Sequence, residues 1–125
     1  MQFRLKTSKQ TEEIFIAIGQ REHLQPFALA KLAISLAIHD GFKVDETNKD
    51  EDNDGLDLNR QTITGDRDLL FKSLIELNEG KYLDDEVYFP GYVKQYIDYG
   101  AKLLEQELRY SRDIYNHLVN LEHSI

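Results

Sequence analysis

The chain has 125 residues and no cysteine, which suits one domain with its own core and excludes disulfides, thiolate nucleophiles, Cys-ligated zinc and iron–sulfur clusters built by this chain alone. It has no signal-like apolar start and no run near the ~18 apolar residues of a membrane span, so a soluble, cytoplasmic protein is expected. The net charge of -8 argues against a nucleic-acid partner in bulk, but it is unevenly spread: residues 1–39 sum to +2, 40–57 to -6, 58–81 to zero, 82–92 to -3 and 93–125 to -1.

Phe3-Arg4-Leu5-Lys6 alternates as a short strand would, with Phe3 and Leu5 directed at a core and Gln2, Arg4 and Lys6 directed outward. Thr7 or Ser8 is placed to cap a first helix, and Thr7 with Gln10 fits a capping box. Ile14, Phe15 and Ile18 form its apolar stripe, and Gly19 weakens its later part. Leu24-Gln25-Pro26 reads as a turn, with Pro26 the first residue of a second helix. From Phe27 to Ile38 that helix is apolar almost all round, which predicts burial in a core or a subunit interface. Lys31 and Ser35 mark its polar edge. Asp40-Gly41 supplies the stop.

Residues 42–58 show no apolar period and predict an exposed acidic loop in which like charges oppose compaction. Thr64 or Asp66 is placed to cap a third helix reaching about Asn78, with Leu69, Leu70, Leu74, Ile75 and Leu77 on its inner side and Gly80 as its stop. After the aromatic, acidic connector Tyr82–Pro90, a long helix is predicted from Gly91 to the C-terminus. Val93, Ile97, Ala101, Leu104, Leu108, Ser111, Tyr115 and Leu118 recur along it at spacings of three and four. At ~1.5 Å per residue it spans about 50 Å, more than a compact domain of this size encloses. Its extension, residues 105–125, is therefore expected to pack on another subunit. Gly100 within it predicts a kink or a close helix crossing. The fold class is thus all-α: one compact helical domain over residues 1–125 with a short N-terminal strand and a long C-terminal helix.

Sites of catalysis or metal binding are not legible. Asp50, Asp52, Asp54 and Gly55 match the opening of an EF-hand-like calcium loop, but the closing glutamate is replaced by Gln61 and the apolar pairing position by Asp57. A solvated acidic loop is the preferred reading. His23, His39, His117 and His123 lack zinc-site spacing, and there is no nucleophile elbow or phosphate-cradling glycine loop. No cofactor, no metal and no enzyme activity are expected. The tyrosines are assigned to packing.

The basic residues are more informative. Arg4, Lys6 and Lys9 lie on or just after the strand, and the Gln25-Pro26-Phe27 helix start suits a phosphate. Strand, helix, helix in this order has a ribbon-helix-helix-like start, in which two chains pair their strands and the ribbon enters a groove. The competing view is that these charges only keep a helical oligomer soluble.

Three blocks, Phe3 through Glu13, Leu24-Gln25-Pro26 with the Ala/Leu helix behind it, and Asn59-Arg60-Gln61-Thr62-Ile63-Thr64-Gly65-Asp66 followed by Leu69, Leu70 and Phe71, together resemble the DndE family of DNA sulfur modification proteins. Tyr96-Ile97-Asp98-Tyr99-Gly100 is a weaker echo. The resemblance covers residues 3 to about 104. It implies a small helical, homo-oligomeric subunit, with a tetramer favoured, that associates with DNA and prefers nicked duplex. It also implies that the sulfur chemistry belongs to DndC-like and DndD-like partners and a cysteine desulfurase. This sequence departs from the family pattern at Gly19-Gln20-Arg21-Glu22-His23-Leu24, in its acidic loop and beyond Leu104.

Arg4, Lys6, Lys9, Arg21, Lys31 and Arg60 are accordingly the expected contacts to the DNA backbone. The expected role is a non-catalytic accessory subunit of a phosphorothioation complex. The alternatives are a scaffold bridging the ATPase and sulfur-transfer subunits without touching DNA, and a ribbon-helix-helix regulator or antitoxin. A nicking enzyme ranks last.

Overall fold

A computed structural model describes residues 3–47 and 52–124, with side chains through residue 110. A two-stranded antiparallel ribbon, β1 (Arg4–Lys6) with β2 (Asp57–Asn59), sits beside a helical body. The helices are α1 (Lys9–Glu22), α2 (Pro26–His39), the single turn α3 (Arg60–Ile63), α4 (Asp68–Glu79), the short α5 (Asp85–Val87) and α6 (Val93–Ser124). A tight turn over Gly65–Arg67 leads into α4, and a wide turn over Tyr88–Tyr92 leads into α6.

In the ribbon, Leu5 lies opposite Leu58, Arg4 opposite Asn59 and Lys6 opposite Asp57. Leu5 and Leu58 are buried while the charged neighbours face water, as strand alternation requires. Phe3 does not join the core: it precedes the strand and is 59% exposed. The partner of β1 is a strand of its own chain, whereas a ribbon-helix-helix protein pairs it with a second chain's strand. The acidic segment expected to be an exposed loop is packed at its end: Leu58 is buried, and Leu56 and Gly55 are tied to Thr7 by backbone bonds of 2.9 Å.

Ser8, not Thr7, caps α1, its hydroxyl accepting from the Thr11 N–H. Thr7 is instead fully buried, its hydroxyl accepting from the Leu56 N–H at 2.9 Å. Pro26 opens α2 as expected from its fixed φ and missing N–H. Burial explains the apolarity of α2 on one side, where Leu29, Ala30, Ala33, Ile34 and Ala37 are fully buried at the centre of the body, but Phe27 and Leu32 are 41% and 44% exposed.

α2 packs most extensively on α6. Gly100 makes this approach possible, since a β-carbon there would lie 1.8 Å from the Ala33 carbonyl oxygen. Gly100 is therefore the site of a close helix crossing. Leu104 is the last fully packed residue of the core cluster, while α6 continues to Ser124. Over its 32 residues the helix spans about 48 Å.

α4 departs most from expectation. Neither Thr64 nor Asp66 caps it, and of its apolar residues Ile75 alone is fully buried. Leu69, Leu70, Leu74 and Leu77 are 76%, 50%, 38% and 78% exposed. Tyr88, Phe89, Tyr92 and Tyr96, from the connector and α6, are buried instead.

Candidate nucleic-acid interface

β1 runs directly into α1, so Arg4, Lys6 and Lys9 cluster at one corner of the molecule, all exposed. Lys6 has no ion-pair partner among the described residues. Arg4 reaches Asp57 at 3.4 Å with both side chains about half exposed or more. Lys9 holds Glu12 at 2.5 Å, and that hydrogen-bonded contact raises the lysine pKa. Contacts of this kind are worth little in water, so these cations are easily surrendered to a competing phosphate.

Arg21 lies in the last turn of α1, twelve residues from Lys9 and hence about 18 Å along the helix. It pairs with Glu22 at 3.2 Å. Lys31, on α2, lies 5.5 Å from the centre of the Phe27 ring, an attraction of ammonium to π-face. The α2 start offers fewer free donors than expected, because the Ala28 and Leu29 N–H groups already donate to the Gln25 carbonyl at 3.0 and 3.1 Å. The expected contacts thus divide between the two ends of α1.

Arg60 belongs to neither group. Its side chain is only 12% exposed. Nε and Nη2 donate to the two oxygens of Asp68 at 3.1 and 2.6 Å, and Nη1 and Nη2 donate to those of Asp85 at 3.0 and 2.6 Å. The guanidinium also stacks 5.3 Å from Tyr88 and 5.0 Å from Phe89. Burial pushes the Asp68 carboxyl up, but Arg60, the Thr64 hydroxyl and the Tyr88 hydroxyl together hold it below its ordinary value. The Asp85 carboxyl is held down chiefly by its hydrogen bonds from Arg60, and burial pushes Tyr88 up. A forked guanidinium with both sides taken by carboxylates is a structural pin. It fastens the residues following β2 to α4 and α5, and so fixes the strand on which β1 is laid.

A second pin lies under the basic corner. Lys94 is 4% exposed, with Nζ donating to Asp98 Oδ2 and to the Asp52 carbonyl, both at 2.7 Å. The other oxygen of Asp98 accepts from the Ser8 N–H at 3.0 Å and from the Thr11 hydroxyl at 2.6 Å. Asp52 accepts from the Lys9 N–H at 3.0 Å. Two carboxylates therefore close the positive end of α1, and backbone bonds from Asp54 and Lys9 hold the Asp52 pKa down. Lys94 and Asp98 have the i,i+4 spacing of a surface ion pair. Their burial could not be read from that spacing.

Beside this pin is a cleft of about 380 Å³ lined by Ser8, Gln10, Asp45, Asp52, Lys94 and Lys102 among others. Its charges are mixed, and among the described residues no group of three or more His, Asp or Glu side chains is placed to hold a metal ion. Asp50, the first residue of the calcium-like pattern, lies outside the described residues. No helix among them is long and apolar enough to cross a membrane.

The fold has solved counterparts. A crystal structure of DndE from Escherichia coli B7A, involved in DNA phosphorothioation modification, superposes with a TM-score of 0.68 at 18% identity, covering 83% of this chain and 97% of that one. A DndE G21/24K mutant structure, also described as involved in DNA phosphorothioation, gives 0.60 at 18% identity, with 85% and 99% covered. No curated protein matches. The family model for the DNA sulphur modification protein DndE matches residues 4–112, nearly the whole folded body, and the chain belongs to the DndE family.

Proposed function

We propose that this chain is a non-catalytic accessory subunit of a DNA phosphorothioation complex that binds the DNA backbone, intact or nicked, as a homo-oligomer. The observation that carries this reading is the exposed corner of Arg4, Lys6 and Lys9 on a family member of the DNA sulphur modification system. Arg4 is held by the exposed Asp57, Lys9 by the half-buried Glu12 and Lys6 by no ion-pair partner among the described residues, so phosphate competes with two single ion pairs at most. A corner with so few cations binds weakly alone; several copies on one duplex raise affinity by effective concentration. Arg21 and Lys31 provide a second, smaller contact at the far end of α1. Arg60 acts in this scheme by holding the ribbon in place. Activation and transfer of sulfur are left to DndC-like and DndD-like subunits.

Electrophoretic mobility shifts on intact and nicked duplexes of the same length test this. Shifts at low salt that weaken with Lys6→Ala and Lys9→Ala support it, with nicked duplex bound at least as well as intact. Absence of any shift at low salt rejects it.

The exposed leucines of α4 favour a second function, bridging of partner proteins without DNA. In that case co-purification with the ATPase and sulfur-transfer subunits survives nuclease treatment, and the Lys6 and Lys9 variants assemble normally. A ribbon-helix-helix regulator gains no support from a strand already paired within its own chain.

A further inference from the structure

The basic corner faces carboxylates of its own chain. Asp57 lies on the outer face of the ribbon with two of the cations, directly opposite Lys6 and diagonal to Arg4, whose Nη1 it meets at 3.4 Å. At Lys9 the hydrogen bond to Glu12 chiefly raises the ammonium pKa, and the charges of Glu12, Glu13 and Asp54 add to it. Asp52 accepts from the Lys9 N–H at 3.0 Å. Residues 52–57 thus set three carboxylates and no cation against Arg4, Lys6 and Lys9. The backbone that carries them is fixed. Gly55 lies flush on the start of α1, where a β-carbon would fall 2.1 Å from the Ser8 carbonyl oxygen. Its N–H donates to the Thr7 carbonyl at 2.9 Å, and the buried Lys94 holds the Asp52 carbonyl at 2.7 Å.

We propose that residues 52–57 form an autoinhibitory strap, whose carboxylates stand in for DNA phosphate at the basic corner and hold down its affinity for duplex. Opening one exposed ion pair costs little. The freed carboxylate, however, stays beside the incoming phosphate on a backbone that cannot withdraw, and like charges so placed repel. The strap also flattens the response to salt, because an ion pair opened on binding takes up counterions while the DNA releases its own. The proposal rests on the DNA-backbone reading given above and adds what sets the strength of that contact.

Fluorescence anisotropy of the full chain on one short duplex tests it, at about 0.1 M salt, where charges more than about 10 Å apart are largely screened. Asp54→Asn combined with Asp57→Asn removes two strap charges by near-isosteric changes at exposed sites. Asp66→Asn combined with Glu107→Gln removes the same charge from exposed carboxylates of the turn before α4 and of α6. The strap pair is expected to raise affinity about tenfold or more and to steepen the slope of log K against log salt by about one unit. The control pair should change affinity by about twofold or less and leave the slope as it is. Equal rises in the two pairs, with the slope unaltered, mark a response to net charge alone; they overturn the strap and leave the corner on DNA. Binding that both pairs and Lys6→Ala leave unchanged overturns the corner and the strap together, as does absence of binding by the wild type and the strap pair at low salt.

Discussion

The carbonyl oxygen of Ala33 occupies the space where a side chain on Gly100 would begin, 1.8 Å from its β-carbon position. The clash is with backbone on a central helix, so it cannot be relieved by a rotamer change. Gly100→Ala is expected to cost about 3 kcal/mol or more, as overpacking of a rigid core does. Gly91, whose β-carbon position meets nothing within 4 Å, is the control. Gly91→Ala should fall within about 0.5 kcal/mol of wild type. Urea unfolding of the two variants checks both.

Asp98→Ala removes the counter-charge of the buried Lys94 and the acceptor for both Ser8 and Thr11. An uncompensated buried ammonium and a loosened helix start together predict a loss of about 3–5 kcal/mol. Lys94→Met combined with Asp98→Leu removes both charges and should recover part of the loss. Thermal melts of the single and double variants decide whether the pin stabilises as a pair.

The Arg60 pin predicts an acid-sensitive fold. Asp68 and Asp85 have folded-state pKa values lowered below the ordinary carboxylate value. Their stabilisation is therefore complete above the unfolded value of about 4 and is lost as pH falls through the lowered folded values. Stability measured by urea unfolding should drop from about pH 4 downward in the wild type. Arg60→Ala should be destabilised at neutral pH, with a shallower fall in acid because the carboxylates are no longer held down.

Asp57 faces Arg4 at 3.4 Å across the ribbon. Asp57→Asn removes a negative charge from the basic corner and frees the guanidinium. Duplex affinity measured by fluorescence anisotropy at low salt should rise severalfold. Unchanged or weaker binding would place the corner away from DNA.

The sequence was most readable where a local signal and the tertiary environment coincide. Pro26 marked the start of α2, the apolarity of that helix marked a core position on the side of Leu29, Ala33 and Ile34 though not at the exposed Phe27 and Leu32, and Gly100 marked a crossing. The leucines of α4 misled because periodicity identifies an apolar face without saying what covers it. In this chain the aromatic residues of the connector and α6 reached the core in their place. Arg60 misled for a related reason. Its charge suggested an exposed contact, and its carboxylate partners, eight and twenty-five residues away, were brought to it by the turn into α4 and by α5. Lys94 and Asp98 carried the spacing of a surface pair, and the Ser8–Thr11 segment that buries them is some ninety residues distant.

The salt dependence of duplex binding tests the central claim most directly. Anisotropy titrations between 50 and 200 mM salt should give a straight line of log K against log salt. Its slope should decrease by about one unit for Lys6→Ala, and again for Lys9→Ala, for each subunit that contacts DNA. A slope near zero, or one unaltered by both substitutions, would contradict the assignment of the Arg4–Lys6–Lys9 corner to the DNA backbone.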